Sequence, residues 1–390
     1  MSQQRISLLC LFSLFSPSAV TAAPSVLSID NPAEAVTQAV VLSVNAFVAS
    51  DHVPWKAFDD DLWPENYRVR SAENASLFSA KTSIGAGVGA IRLDYFRRAE
   101  AIVVATADTA RAHVMAQRDD YFDSSKSLGI RYQLNGFEAD GLRLSMTSES
   151  VSLPLPIGLA LGASVNAMRG LRLRSDWASG RFVSDGTTVS LNGSRELRYS
   201  GLRPSSGTSL SAFHPFEAGD VPDHGARFSF DLGLVWRWRP DVQLSAAVND
   251  LAGVLYWKSL PVISQQFSIN NLTASSYASS GAPAVSGRHV YEDYSLRLNR
   301  KYRLEAEYAV MPQLGIMGRV ESTSGIYFPM LGLSWKFSDD WMVGLSYEDR
   351  WKSIALGVQW PRGEVAIQAD QPDPTRARAL GVRFGLSYGF

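Results

Sequence analysis

The chain of 390 residues has a single cysteine and no excess of charge of either sign. Cys10 lies near the N-terminus, so the rest of the chain cannot form a disulfide, a thiolate metal site or a cysteine nucleophile. The 37 basic and 38 acidic side chains give a formal net charge of −1, which argues against nucleic acid as a partner. Beyond residue 23 there is no run of about 18 apolar residues, which excludes a protein built of membrane-spanning helices.

Residues 1–22 have the pattern of a secretory signal peptide. Arg5 supplies the positive charge, an apolar stretch covers residues 6–15, and residues 20–22 (Val-Thr-Ala) provide the small residues of a cleavage site. We therefore expect export, with a mature chain that begins near residue 23 and contains no thiol.

Apolar and polar residues alternate over long segments of the mature chain. The clearest apolar sets are Phe228, Phe230, Leu232, Leu234, Trp236 and Trp238; Tyr302, Leu304, Ala306, Tyr308 and Val310; Leu331, Leu333, Trp335 and Phe337; and Leu380, Val382, Phe384, Leu386, Tyr388 and Phe390. A period of two is the period of a β-strand, so each segment has one apolar and one polar face. A soluble β-sandwich gives the same alternation over shorter strands, whereas nine to eleven residues with aromatic ends are typical of a tilted membrane span.

The connections between these segments alternate in length. Tight turns are predicted at 361–363, 338–340, 311–312 and 239–241, and further upstream at 168–170, 138–140 and 97–98. Longer connections are predicted at 370–377, 251–301 and 183–225. Short periplasmic turns and long outer loops are the rule in bacterial outer-membrane barrels.

The pattern therefore predicts an all-β fold, an antiparallel transmembrane β-barrel of 14–16 strands over residues 39–390. The barrel must close, because hydrocarbon offers no partner to an unpaired backbone group. The 16 predicted strands are 39–48, 87–96, 99–108, 127–136, 141–148, 157–168, 171–182, 226–238, 242–250, 302–310, 313–320, 326–337, 341–348, 352–360, 363–370 and 378–390; without the first pair, 14 remain.

The last strand resembles the C-terminal assembly signal of bacterial outer-membrane barrels. Arg383, Gly385, Tyr388 and Phe390 occupy the polar, glycine and aromatic places of that signal. The resemblance implies the barrel-assembly machinery as a partner, outer-membrane lipid around the barrel, and a terminal aromatic residue in the periplasmic girdle.

Asn31, Pro32 and Ala33, close to the mature N-terminus, resemble a tripeptide of the FadL-type family of long-chain fatty acid transporters. Glu34 stands where that family typically has glycine. The resemblance implies that residues 23–38 form a periplasmic or hatch segment entering the barrel, and that the chain passes a small amphipathic or hydrophobic ligand. The residues alone also predict a helix start, with Asn31 as N-cap, Pro32 in the first turn and Glu34 near the positive end of the dipole.

If the apolar face of each strand contacts lipid, thirteen charged side chains on the opposite face point into the lumen: Arg92, Asp94, Arg131, Arg143, Asp231, Arg237, Arg303, Glu305, Glu307, Arg319, Lys336, Glu348 and Arg383. Buried charges must pair or meet water. Arginines outnumber lysines 30 to 7, which favours bidentate pairing with carboxylates. The set can form a selectivity lining or a structural network that closes much of the lumen.

Two other functions remain open at this point. Dense charge and long outer loops also suit a plugged, non-conducting barrel that is a surface partner in assembly or secretion. A lipid hydrolase would need a histidine, and His52, His113, His214, His224 and His289 are all predicted in loops. No Gly-x-Ser-x-Gly or His-Glu-x-x-His motif occurs. Asp59, Asp60 and Asp61 suit either calcium or an exposed acidic loop. We expect no enzymatic activity, cofactor or metal.

Overall fold

The computed structural model describes residues 26–34, 38–58, 69–118, 125–148, 158–200, 224–273, 285–338 and 340–389. The predicted signal peptide, Asp59 to Asp61, His214 and Phe390 lie outside the described residues. Among the described helices, none is long and apolar enough to span a membrane.

The described residues form seventeen strands, one α-helix and two short 3₁₀ turns, at Pro32–Glu34 and Trp55–Phe58. Helix α1 is Ala107–Arg118. The strands are β1 (Ala39–Ser50), β2 (Asn74–Val88), β3 (Ile91–Ala105), β4 (Ser125–Thr147), β5 (Leu159–Asp185), β6 (Thr188–Ser200), β7 (His224–Arg239), β8 (Val242–Leu251), β9 (Val254–Thr273), β10 (Val285–Arg297), β11 (Lys301–Met311), β12 (Leu314–Thr323), β13 (Ile326–Lys336), β14 (Met342–Glu348), β15 (Ser353–Trp360), β16 (Gly363–Ala369) and β17 (Ala379–Gly389).

Fourteen of the described strands close an antiparallel ring. The ring runs β1–β2–β3–β4–β5–β7–β8–β11 and then in chain order to β17, which pairs back with β1 from Ala39↔Gly389 to Ala49↔Ala379. Closure leaves the ring without a free edge, as hydrocarbon requires. The prediction of an all-β, antiparallel barrel is confirmed.

The tight turns predicted in the C-terminal half lie together at one end of the barrel. The connections at 240–241, 312–313, 337–341 and 361–362 all join neighbouring strands at this end, where β1 begins and β17 finishes. By the rule for outer-membrane barrels this is the periplasmic end, and the opposite end faces outward.

The predicted turns of the N-terminal half are wrong. Residues 97–98 lie within β3, 138–140 within β4 and 168–170 within β5, so pairs of short predicted strands are single long ones. The true periplasmic turn between β2 and β3 is Gly89–Ala90, where Gly89 has a φ of 60°. The charged residues at the false turns pair across strands. Arg97 donates to Glu138 at 2.6 Å, and Arg169 donates to Asp140 at 2.8 and 3.1 Å.

Strands β6, β9 and β10 form an extension above the ring together with the outer parts of β4 and β5. Strand β5 pairs with β7 over residues 159–169 and with β6 over residues 173–184, and β6 then pairs with β9 and β9 with β10. Helix α1 covers the outer edge of β4, where Thr109 and Asp108 accept backbone N–H groups of β4. The extension therefore grows out of the barrel wall itself.

The outward face of the ring is an apolar band with an aromatic girdle at each end. Tyr302, Tyr327 and Tyr347 are exposed at the outer end. The periplasmic girdle is formed by Trp236, Trp238, Trp335, Phe337, Trp341 and Tyr388. On β13, Tyr327 and Trp335 are eight residues apart, which is about 26 Å along a strand. At a tilt of about 40° this stretch spans about 20 Å along the barrel axis, somewhat less than the apolar band of membrane barrels, which is about 25 Å tall.

Candidate functional site: the N-terminal segment and the lumenal cleft

Residues 26–34, here called the N-terminal segment, lie inside the ring and bond to side chains of its wall. The Leu27 amide donates to Glu321 Oε2 at 3.0 Å, and its carbonyl accepts from Lys301 Nζ at 3.1 Å. Asn249 bonds both the amide and the carbonyl of Asp30, each at 2.9 Å. The wall side chains thus satisfy backbone groups that a strand would pair with a neighbouring strand.

Pro32, Ala33 and Glu34 form a single 3₁₀ turn against the wall, and Asn31 precedes it. Asn31 Oδ1 accepts the Ala33 amide at 3.0 Å, which is the hydrogen bond of an N-cap, and Asn31 Nδ2 donates to Glu34 Oε1 at 3.0 Å. The turn packs on Gly162 of β5 and Gly233 of β7, which are direct cross-strand partners.

Only glycine leaves room for this contact. A Cβ on Gly162 would lie 2.2 Å from the Ala33 nitrogen, and a Cβ on Gly233 would lie 1.9 Å from Asn31 Oδ1. Sequence reasoning missed both glycines, because their value depends on a segment about 130 to 200 residues away.

The two carboxylates of the N-terminal segment are paired with cations of the wall. Asp30 forms ion pairs with Lys81 of β2 and Arg143 of β4. Glu34 Oε2 accepts from Arg303 Nη2 at 2.6 Å. These pairs connect the segment to three separate strands and offset the cost of placing the charges inside the barrel.

Ion pairs also join residues of the wall to one another. Arg98 holds Asp250 in a bidentate pair at 2.9 and 3.0 Å. Arg319 pairs with Glu305 and lies 3.9 Å from Glu321.

Most of the predicted lumenal charges lie at positions of the ring strands whose side chains point inward. Paired or bonded residues are Arg92 with Asp94, Arg143 with Asp231, Arg303 with Glu34, Arg319 with Glu305, Arg237 with Gln243, and Arg383 with Glu364. Glu307 and Lys336 share this parity and are half-buried towards the periplasmic end.

Two of the predicted residues have other positions or contacts. Arg131 is exposed on the part of β4 beyond the ring, so it does not line the lumen. The buried Glu348 carboxylate instead organises the β14–β15 turn, accepting the amides of Arg350 at 2.7 Å and Trp351 at 3.0 Å. A strand pattern alone does not reveal where a strand leaves the ring or turns.

The C-terminal residues lie as follows. Arg383 Nε donates to Glu364 Oε1 at 2.6 Å, and a side chain at Gly385 would contact that Glu364 at 3.0 Å. Tyr388 is exposed on the outward face with the Arg362 guanidinium 5.4 Å from its ring. Their role as an assembly signal stays a prediction.

A cleft opens in the outer half of the lumen, directly above the N-terminal segment. Its apolar lining comes from distant parts of the chain: Leu27, Leu77, Ile102, Phe137, Leu296 and Leu298. Ser79, Glu100, Asn135, Arg297, Asn299, Lys301 and Thr323 are its polar lining. The cleft itself has a cavity volume of about 40 Å³, and with the open space at its mouth counted about 480 Å³ lies among its lining residues.

Sequence reasoning missed the cleft for two reasons. It broke β3 and β4 near this level, and it assigned residues 296–301 to a long loop. The alternation of β3 could have revealed it, because the inward-facing positions continue without a break through Phe96, Arg98, Glu100 and Ile102.

Aromatic side chains are packed on either side of the cleft. Trp257 of β9 is fully buried against Gly170, where a Cβ would lie 2.4 Å from the indole ring. Trp351 stacks on Phe328 at 5.1 Å and lies 5.5 Å from Phe47. The cleft therefore lies between two clusters of buried apolar side chains, one that contains Trp351 and Leu77 and one that contains Trp257 and Phe137.

The predicted loop positions of the histidines are wrong for three of them. His113 lies in α1, His224 in β7 and His289 in β10. Burial lowers the pKa of His52 to about 4. Burial, and after it the neighbouring His52, lowers the pKa of His113 to about 4. Both are outside the membrane-spanning strands, and both are held neutral at pH 7.

These features define a membrane-spanning β-barrel of 14 strands with an apolar exterior, an internal N-terminal segment and a mainly apolar lumenal cleft. No protein-family profile matches the chain, and no curated protein matches its sequence.

Solved structures of the FadL kind resemble it over most of its length. The toluene transporter TbuX of Ralstonia pickettii is 11% identical with a TM-score of 0.41, covering 92% of this chain and 91% of its own. The toluene transporter TodX of P. putida is 11% identical with a TM-score of 0.43, covering 93% of each chain. A FadL homologue of Pseudomonas aeruginosa is 10% identical with a TM-score of 0.39, covering 91% of this chain and 89% of its own.

Proposed function

We propose that this chain is an outer-membrane channel that admits small, predominantly apolar molecules from its outer end, holds them in the lumenal cleft and releases them past the N-terminal segment. The observation that carries the proposal is the cleft. Its walls are leucine, isoleucine and phenylalanine side chains, in a lumen that is otherwise largely ion-paired. Apolar walls favour the transfer of an apolar molecule out of water.

The N-terminal segment is the part that has to move. It lies directly below the cleft, and Leu27 belongs both to the segment and to the cleft lining. It is held by side-chain contacts and not by a strand ladder, so it can shift while the closed ring stays intact. Asp30 and Glu34 carry charge, so water can take over from their ion-pair partners during such a shift.

A reversible crosslink tests this movement. Ser28 of the segment and Ser79 of β2 have their hydroxyl oxygens 3.1 Å apart, and Cys10 is the only native cysteine. In Ser28→Cys/Ser79→Cys, oxidation should fix the segment to the wall. Uptake of radiolabelled 4-ethylphenol by Gram-negative cells producing this variant should then fall to the rate of cells without the protein, and dithiothreitol should restore it.

A matched control joins two strands that are already paired. Ser43 of β1 and Ser83 of β2 are register partners with hydroxyl oxygens 2.7 Å apart. Ser43→Cys/Ser83→Cys should transport at the same rate whether its disulfide is oxidised or reduced, because this crosslink restrains no moving part. If the Ser28→Cys/Ser79→Cys variant takes up the ligand equally fast when oxidised and when reduced, release past the N-terminal segment is contradicted. No uptake by the uncrosslinked protein would favour a plugged barrel without transport.

A further inference from the structure

We propose that the cleft selects an uncharged molecule that carries a hydroxyl group, an alcohol or a phenol, and rejects carboxylates of the same shape. This inference rests on the proposed function and names the chemical class that the cleft takes. It follows from the charge balance and the free hydrogen-bonding atoms of its polar lining.

The one ammonium group in the cleft lining is already engaged by a carbonyl and two carboxylates of the protein. Lys301 Nζ donates to the Leu27 carbonyl at 3.1 Å, pairs with Glu100 and lies 3.8 Å from Asp250 Oδ2. The Leu27 carbonyl and Glu100 accept two of the three N–H groups, and Asp250, beyond hydrogen-bond distance, adds a second negative charge beside the ammonium. Only 6% of the Lys301 side chain is exposed, so an incoming anion has little access to its charge.

The other charges at the cleft do not attract an anion either. Arg297 also lines the cleft, but its side chain is exposed, on the strand face opposite to the buried Leu296 and Leu298. Arg98 is engaged by both oxygens of Asp250, and its Nη1 lies 3.7 Å from Glu100 Oε1. Two cations, Arg98 and Lys301, thus face two carboxylates, Glu100 and Asp250, in one charge-balanced cluster. Of the two carboxylates, Glu100 is the one that lines the cleft. A carboxylate ligand would meet that like charge at short range, where repulsion is strong.

The same lining offers an acceptor and a donor to a hydroxyl group. Among the described residues, both cations lie on Glu100 Oε1, which leaves Oε2 as an acceptor. Asn135 Oδ1 accepts from Ser175 at 3.0 Å, and its Nδ2 donates to no described residue. Ile102 and Asn135 are register partners, so Glu100 and Asn135 are diagonal neighbours on the inward face. A hydroxyl between them would donate to Glu100 and accept from Asn135.

The test compares three ligands that share one ethylphenyl group: 4-ethylphenol, 4-ethylbenzoate and ethylbenzene. Binding is measured by calorimetry with the whole protein in nanodiscs, and empty nanodiscs are subtracted. We expect 4-ethylphenol to bind about tenfold or more tightly than 4-ethylbenzoate. Equal or tighter binding of 4-ethylbenzoate would overturn the inference and leave the proposed function standing. No binding of any of the three would overturn the proposed function as well.

Two variants assign the selectivity to named atoms. Glu100→Gln removes the repelling charge and leaves the cluster with one positive charge in excess, so it should tighten 4-ethylbenzoate binding about tenfold. Asn135→Ala should weaken 4-ethylphenol and leave ethylbenzene unchanged. Glu364→Gln makes the same carboxylate-to-amide exchange in the Arg383 pair at the periplasmic end and should change none of the three affinities. A Glu100→Gln protein that binds ethylbenzene normally but keeps the wild-type phenol-to-benzoate ratio would refute the inference.

Discussion

Replacing Gly162 by alanine should push the N-terminal segment off the barrel wall. The new Cβ would lie 2.2 Å from backbone atoms of Pro32 and Ala33, whereas ordinary van der Waals contact begins at 3.4 Å. Gly162 is fixed in a strand that is paired on both sides, whereas the Pro32–Glu34 turn is not paired in the sheet. The turn is therefore the part that must move, by about 1.2 Å. Overpacking of this kind costs about 1–3 kcal/mol.

This cost destabilises only the position in which the N-terminal segment contacts the wall, here called the seated position. The equilibrium constant between the seated and a displaced position should therefore shift about 5- to 150-fold. The assay uses Ser28→Cys as a reporter, since this side chain is buried while the segment is seated. In the Gly162→Ala background, the cysteine should react faster with a water-soluble maleimide, and conductance in planar bilayers should rise.

Gly318→Ala provides the matched control. A Cβ at Gly318 of β12 would meet nothing closer than Leu331 Cδ2 at 3.9 Å. Its reporter should react at the wild-type rate. If Gly162→Ala gives the same thiol reactivity and conductance as Gly318→Ala, the close contact with Pro32 and Ala33 does not hold the segment, and the reasoning is refuted.

Three further outcomes are expected. Arg303→Met should lower the unfolding free energy by about 3–5 kcal/mol, because it leaves Glu34 without its partner; urea unfolding in detergent measures this, and an unchanged midpoint would show that water replaces the pair. Trp257→Ala should cost about 3–5 kcal/mol in the same assay, since the indole is fully buried, and wild-type stability would mean that the outer strands collapse onto the space. Stability should fall as the pH drops from 6.5 towards about 4, because His52 and His113 titrate near 6.5 when unfolded and near 4 when folded; a His52→Gln/His113→Gln variant should lose that slope, and an identical slope in both proteins would contradict the assignment.

The sequence was most informative where hairpins are short and regular. The periplasmic turns from Arg239 to Gly363 were predictable because proline, glycine and aspartate interrupt clear alternation. In β3, β4 and β5 the same reasoning failed, since charges such as Arg97 and Asp140 interrupt the alternation without a turn. There the strands pass beyond the apolar band, and cross-strand ion pairs have the composition of a loop.

The candidate site was less predictable than the fold. The inward parity located most of the charges, because alternation is a local property of each strand. The cleft brings together Leu27, Ile102 and Leu298, and their proximity depends on the ring closing and on β9 and β10 folding inward. The contact of Gly162 with Pro32 likewise depends on tertiary structure alone.

The continuity of β5 has a consequence for how the molecule can be observed in a membrane. This strand has 27 residues, nearly all of them paired with β4, and it continues from the lipid band to the hairpin at Gly186 and Thr187. At about 3.3 Å per residue it is about 90 Å long. A fluorophore attached at Thr187 would therefore report the inclination of the whole barrel to the bilayer normal, at a position far from the headgroups and from the permeation route.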